Sequence, residues 1–184
     1  MKKIYILLTR SQTVVSKAIH RFTGDEYTHV SIAYDNELKS LCSFARINTA
    51  FPIPAGLVHE DLYEGYFALH RYIPCKLLEL DVSDQTHEKV KNILNRMLSV
   101  RNIYRYNALG LVTCKMGIER QTHNSYFCSQ FVAEVIEKSK AFRLPKTPSL
   151  MRPQDFSNVK ELKCVYKGMI SELMHDRIPL ITTA

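Results

Sequence analysis

The pattern of hydrophobic and polar positions predicts, in order, a strand, a helix, a pair of strands, a loop, a strand, a mostly helical stretch and a last strand. Residues 3–9 form a short apolar run, which is typical of a buried strand. Residues 11–22 follow a helical period, with Ser11 suited to cap the first turn and Gly24 suited to end the helix. The chain therefore mixes both kinds of secondary structure from its beginning.

A hairpin is predicted next, because two strand-like runs at residues 29–35 and 38–46 are joined by Asp-Asn-Glu at 35–37. Residues 47–68 contain two prolines and two glycines among apolar and acidic residues, so this stretch is predicted to be a loop or a lid over a cleft. The punctuating residues are Pro52, Pro54, Gly56 and Gly65.

The second half of the chain is predicted to be mainly helical. Ser83 or Asp84 is suited to cap a helix that carries one apolar stripe, which indicates packing against a core. The predicted elements are a strand over 75–82, helices over 84–101, 107–115 and 125–139, a short helical turn over 152–156 and a strand over 163–170.

The composition fits a single domain spanning residues 1–184, with 46% hydrophobic and 23% charged residues. No segment approaches the roughly 18 consecutive apolar residues of a membrane span. Lys2 and Lys3 before an apolar run imitate a secretory signal, but the run is short and no small-residue cleavage site follows. We therefore expect a first strand here and a cytoplasmic protein.

The formal net charge of +7 raises the question of a nucleic-acid partner. The basic residues are dispersed along the chain and form no dense block, which favours a solvated surface, and no specific nucleic acid is expected. The excess of positive charge is instead compatible with an anionic ligand or a membrane surface.

Five cysteines without CxxC spacing indicate reduced thiols rather than a disulfide framework. Four of them are predicted to be small core residues, namely Cys42, Cys75, Cys114 and Cys164. Cys128 differs, because it lies near the start of the predicted amphipathic helix, where the helix dipole favours a thiolate.

Cys128 and His29 are the candidate catalytic pair. His29 opens the first strand of the predicted hairpin, and an imidazole near a thiol can stabilise the thiolate and later protonate a leaving group. The first backbone N–H groups of the cysteine helix are suited to stabilise an oxyanion. A third group is needed to fix the imidazole tautomer, and the paired strand offers Ser43 as first choice.

Other histidines offer fewer possibilities. His123 precedes Cys128 by five residues and is a rival partner, although its position in a predicted loop makes it either a surface residue or a residue bordering the pocket. The remaining histidines show no metal-ligand spacing, so a zinc site is not expected. The thiol mechanism requires no metal and no organic cofactor.

These motifs resemble those of the NlpC/P60 papain-like superfamily. The run Phe-Cys-Ser-Gln-Phe-Val at 127–132 is similar to the family's nucleophile helix, commonly Asp-Cys-Ser-Gly-Phe-Val, and His-Val-Ser-Ile at 29–32 resembles its histidine strand. Because the histidine precedes the cysteine, the resemblance is to the circularly permuted branch, which includes the YiiX-like and lecithin retinol acyltransferase-like proteins. It covers most of the chain and is weakest over residues 47–72.

The resemblance implies a permuted papain-like α+β fold, in which an antiparallel sheet packs against helices. It also implies that Cys128 is the nucleophile, that His29 is the base, and that the third polar residue falls at or near Ser43. The expected activity is that of a cysteine hydrolase or acyltransferase acting on an amide or ester bond of a small molecule, a lipid or a cell-wall-type peptide. Because serine is a weak orienting group, a binding module that retains the fold without efficient catalysis is the alternative.

Overall fold

The computed structural model describes residues 1–10, 21, 24–47 and 55–177, and every contact given below lies within these ranges. Apart from Arg21, the helix predicted over residues 11–22 lies outside the described residues. The same holds for residues 48–54 of the predicted loop.

The fold is mixed α+β and is organised around a six-stranded antiparallel sheet. Its six strands are β1 (Lys2–Thr9), β2 (His29–Ala33), β3 (Leu41–Arg46), β4 (Ala55–Glu60), β5 (Pro74–Val82) and β8 (Lys163–Met169). Their order in the sheet is β4-β3-β2-β1-β5-β8, so β1 lies inside the sheet between β2 and β5. Two short strands, β6 (Arg105–Tyr106) and β7 (Ser125–Tyr126), pair in parallel beside it.

Five helices are described. They are α1 (Gly65–Leu69), α2 (Asp84–Ser99), α3 (Ala108–Lys115), α4 (Cys128–Ser139) and α5 (Ile170–Arg177). Short 3-10 helices cover Arg101–Ile103, Pro148–Leu150 and Pro153–Asn158. None of the described helices is long and apolar enough to cross a membrane.

The sheet buries apolar side chains on both faces. Ile4, Ile6 and Leu8 of β1 belong to one core cluster together with α2 and α4, whereas Tyr5 and Leu7 belong to a second cluster together with α1 and α5. This division follows from the alternation of side chains along a strand. It also explains the continuous apolar run of β1, because a strand covered on both faces has no polar positions to present.

Local sequence signals explain where two of the helices begin. Ser83 Oγ accepts a hydrogen bond from the Thr86 backbone N–H and so caps α2, as the sequence predicts. Asn107 caps α3 in the same way by accepting from the Gly110 N–H at 2.7 Å. The caps satisfy N–H groups that have no partner inside a helix.

The structure departs from the predictions in several places. Residues 47–68 are not only loop, because β4 and most of α1 lie within them, and the sequence pattern does not predict the helix α5 after the last strand. The predicted helix over 125–139 begins only at Cys128, since Ser125 and Tyr126 form the short strand β7. The prediction of a buried Cys164 is wrong: this residue is exposed on β8, which is an edge strand of the sheet.

Candidate functional site

Cys128 is the first residue of α4 and lies where this helix packs against the sheet. The residue is buried, with 5% of its surface exposed. Phe127 occupies the N-cap position and makes no side-chain capping hydrogen bond. Because no side chain of the capping residue covers them, the N–H groups of the first turn remain suited to bind a negatively charged oxygen.

His29 is the first residue of β2 and faces this thiol. It pairs with Thr9 of β1, so the neighbouring strand fixes its backbone. Its ring interacts with the thiol of Cys128, which raises the pKa of His29, although the two residues are 99 positions apart in the chain. The structure therefore brings together the two residues that the sequence pairs.

Glu60 supplies a carboxylate on the far side of the imidazole. Its Oε2 lies 3.7 Å from Nε2 of His29. The same oxygen accepts hydrogen bonds from Ser31 Oγ and Ser43 Oγ, each at 2.7 Å. Three groups thus converge on one carboxylate oxygen and hold it beside the ring.

Ser43, the third residue expected from the sequence, lies within this cluster. Its hydroxyl donates to Glu60, so it acts on His29 through the carboxylate. The pairing of Ile32 with Cys42 brings the neighbouring Ser31 and Ser43 side by side, which explains why both reach Glu60.

Sequence reasoning missed Glu60 because the residue falls in the stretch predicted to be loop. The only local signal is an acidic residue at the end of the short strand-compatible run Ala-Gly-Leu-Val-His over 55–59. Gly56 and the nearby prolines favour a loop more strongly than this run favours a strand.

The electrostatics favour a charged imidazole. Burial on its own lowers the pKa of His29, but the hydrogen bonds to Cys128 and Glu60, together with their charges, raise this pKa to about 10. Burial acts in the opposite direction on Glu60, and its bonds with His29, Ser43 and Ser31 hold its pKa below the ordinary value of 4.5. The arrangement therefore favours an imidazolium beside the Glu60 carboxylate.

Three of the other cysteines are in different surroundings. Burial raises the pKa of Cys42 and of Cys75 to about 12 and that of Cys114 to about 11. These thiols are therefore protonated at neutral pH and unreactive.

A narrow cavity of about 30 Å³ adjoins Cys128. This is room for about one or two water molecules. Its walls are contributed by the segment before β2, by α3 and its approach, by the start of α4 and by the segment before a 3-10 helix. Its lining includes Tyr106, Leu111, Cys114, Lys115, Cys128 and Arg152.

Within the described ranges, no group of three or more His, Cys, Asp or Glu residues is arranged to hold a metal ion. His123 is exposed in the segment before β7. The histidine that interacts with Cys128 is His29.

Comparisons with known proteins do not assign the chain to a family. No protein-family model matches it, and no curated protein or solved structure matches it. What the site can do follows from its own geometry. A thiol at a helix start, an imidazole beside the thiol and a carboxylate beside the imidazole form the arrangement required of an activated nucleophile.

Proposed function

We propose that the protein is a cysteine hydrolase or acyltransferase that acts on an amide or ester bond. The observation that carries this proposal is the line of contacts from Cys128 through His29 to Glu60, in which a buried carboxylate holds the imidazole against the thiol. A thiol nucleophile, a base and an orienting group are the three parts of such a site.

In the first step, the Cys128 thiolate attacks the carbonyl carbon, and the carbonyl oxygen becomes negatively charged. The N–H groups at the start of α4 are placed to stabilise that oxygen. When the carbon–nitrogen or carbon–oxygen bond breaks, the His29 imidazolium gives its proton to the leaving amine or alcohol. The product of this step is a thioester on Cys128 and a neutral imidazole.

In the second step, His29 takes a proton from water or from another acceptor, which attacks the thioester. The acyl group leaves as an acid, or as a new ester or amide, and the thiolate and imidazolium are restored. Glu60 keeps Nε2 directed towards itself, so Nδ1 is the ring nitrogen left for the thiol. The carboxylate also stabilises the positive charge on the ring.

We also propose membership of the circularly permuted NlpC/P60 class, with its papain-like fold. Support comes from the motif resemblance, from the histidine-before-cysteine order and from an antiparallel sheet that carries the histidine opposite a cysteine helix. The proposed substrates are acyl or amide bonds of lipids, small molecules or cell-wall-type peptides, and the proposed location is the cytoplasm.

The alternative is a binding module without efficient catalysis. The reason for this alternative is that a serine orients an imidazole only weakly. The carboxylate of Glu60 lies beside His29 and is a stronger orienting group, which disfavours the alternative. The two proposals differ in the expected reactivity of Cys128, because a binding module has no need of an activated thiol.

Alkylation with iodoacetamide, followed residue by residue by mass spectrometry, tests the proposal. We expect Cys128 to react fastest at neutral pH, because it lies at a helix start and His29 can take the proton of its thiol. Cys164 is exposed and provides an internal reference for an accessible thiol. The His29→Gln variant should remove the advantage of Cys128.

Two further results complete this test. Incubation with panels of acyl lipids and peptides should leave a thioester on Cys128, and the Cys128→Ser variant should lack it. If Cys128 labels no faster than Cys164 across the pH range, the enzyme proposal is wrong and the binding module is favoured.

A further inference from the structure

Helix α3 presents an unusual apolar face to solvent. Leu109, Val112 and Met116 follow one another at spacings of three and four residues, which places them on one side of a helix. They are 53%, 54% and 67% exposed. Ile118 is also exposed, and its backbone N–H bonds back to the Thr113 carbonyl, which keeps it at the end of α3. These four apolar residues are termed the α3 stripe.

Positive charge flanks the α3 stripe. Arg105 lies just before the helix, Lys115 lies in its last turn and Arg120 follows it, and all three are exposed. Over the same segment the sequence contains one acidic residue, Glu119. An apolar stripe between cations therefore faces the solvent.

The opposite side of α3 forms a wall of the cavity beside Cys128. Leu111, Cys114 and Lys115 contribute to this wall. Gly110 and Cys114 are buried, so the helix has a protein-facing side and a solvent-facing side. One helix thus separates the candidate nucleophile from whatever the α3 stripe contacts.

We propose that the α3 stripe docks the protein on an anionic lipid bilayer. An apolar helix face flanked by lysine and arginine is suited to the boundary between headgroups and acyl chains. Each cation near an anionic surface adds to the attraction. A second copy of the chain is a poorer occupant, because symmetric pairing through the α3 stripe brings like charges of the two copies together.

Docking through this face places α3 between the bilayer and the cavity of Cys128. The inference goes beyond the proposed chemistry, since membrane binding requires no turnover and is measured without any substrate. Loss of membrane binding would leave the alkylation result for Cys128 standing, and failure of the alkylation test would leave the binding result standing.

Co-sedimentation tests the proposal, with vesicles of phosphatidylcholine alone and vesicles of equal parts phosphatidylcholine and phosphatidylglycerol. We expect the full chain to bind the anionic vesicles only, and to bind them less as salt rises. The Val112→Asp/Met116→Asp variant should lose at least roughly thirtyfold in partitioning, because it places two negative charges against an anionic surface and removes apolar side chains. The Arg105→Gln/Arg120→Gln variant should lose roughly thirtyfold, at about fivefold per cation.

Two variants outside the α3 stripe serve as matched controls. Leu69→Asp changes an equally exposed apolar residue on α1, and Lys89→Gln removes an exposed cation on α2, and both should bind as the unmodified chain does. Circular dichroism checks that every variant is folded. Absence of binding to anionic vesicles, or equal binding by all variants, would overturn the proposal. A concentration-dependent dimer that Val112→Asp/Met116→Asp abolishes would assign the face to a second copy.

Discussion

The imidazole of His29 lies between a thiol and a carboxylate, and its charge is the property that both neighbours reinforce. Cys128 favours the protonated ring from one side and Glu60 from the other, and together they outweigh the effect of burial. Ser31 and Ser43 hold the carboxylate in place through the bonds that they donate to it. The two serines therefore contribute to the site by fixing Glu60.

Replacement of Glu60 tests this arrangement. We expect Glu60→Gln to slow the alkylation of Cys128 at neutral pH by roughly tenfold, because losing one charge interaction of about 1.4 kcal/mol changes an ionisation equilibrium by that factor. Ser43→Ala is the matched control, since it keeps the carboxylate and removes one hydrogen bond worth about 1 kcal/mol. A Glu60→Gln variant that reacts as fast as the unmodified protein would exclude an orienting role for Glu60.

The stability of the protein should depend on pH through His29. Its pKa is raised from 6.5 to about 10, so its contribution to stability is fully present below pH 6.5 and is lost as the pH rises towards 10. We expect the difference in free energy of unfolding between the unmodified protein and His29→Gln to shrink over this window. Urea denaturation at a series of pH values measures it, and a constant difference would contradict the raised pKa.

Glu60 acts at the other end of the pH scale. Its pKa is lowered from 4.5, so the stability that it contributes is present above that value and is lost as the pH falls below it. Glu60 and His29 therefore both contribute their stability between the ordinary pKa values of the two groups, 4.5 and 6.5.

Among the elements, β4 and α3 complete the site, the first by its carboxylate and the second by the cavity wall. The strands and helices with strong periodicity could be predicted from the sequence, as β5, α2 and β8 illustrate. The sequence of β4 does not indicate a strand clearly, so β4 could not be predicted. Its pairing with β3 determines its structure. Cys128 and His29 could be predicted as site residues because each lies in a recognisable local motif. Glu60 could not, because its position beside His29 depends on the pairing of β4 with β3.

The cap of α3 offers a test at this scale. Asn107→Ala removes the hydrogen bond to the Gly110 N–H and should cost about 1 kcal/mol of stability. Because α3 walls the cavity, we also expect faster alkylation of the buried Cys114. Ser83→Ala removes the corresponding cap of α2 at a similar cost and should leave Cys114 unchanged. Equal labelling of Cys114 in both variants would show that α3 does not control access.

At the scale of the whole molecule, β1 joins the two hydrophobic clusters, because its alternate side chains belong to different faces of the sheet. Loss of either cluster should therefore destabilise the other. The chain as a whole carries a formal net charge of +7. The α3 stripe is an exposed apolar face on the helix that also forms a wall of the cavity beside Cys128.

Core truncations on the two faces should have similar effects. Ile6→Ala and Leu7→Ala remove fully buried side chains from opposite faces, and each should cost about 2 to 5 kcal/mol. Both should preserve a single unfolding transition, with circular dichroism and tyrosine fluorescence changing together. Two separated transitions in either variant would show that the faces unfold independently.

The carboxylate of Glu60 lies on β4, which has a neighbour on one side only among the described strands of the sheet. An outer strand can detach in a partial opening that leaves most of the protein intact, and such openings require less free energy than global unfolding. The fast reactivity of Cys128 should therefore disappear at urea concentrations below the midpoint seen by circular dichroism. The alkylation rate of Cys128 would then report whether β4 remains paired with the rest of the sheet.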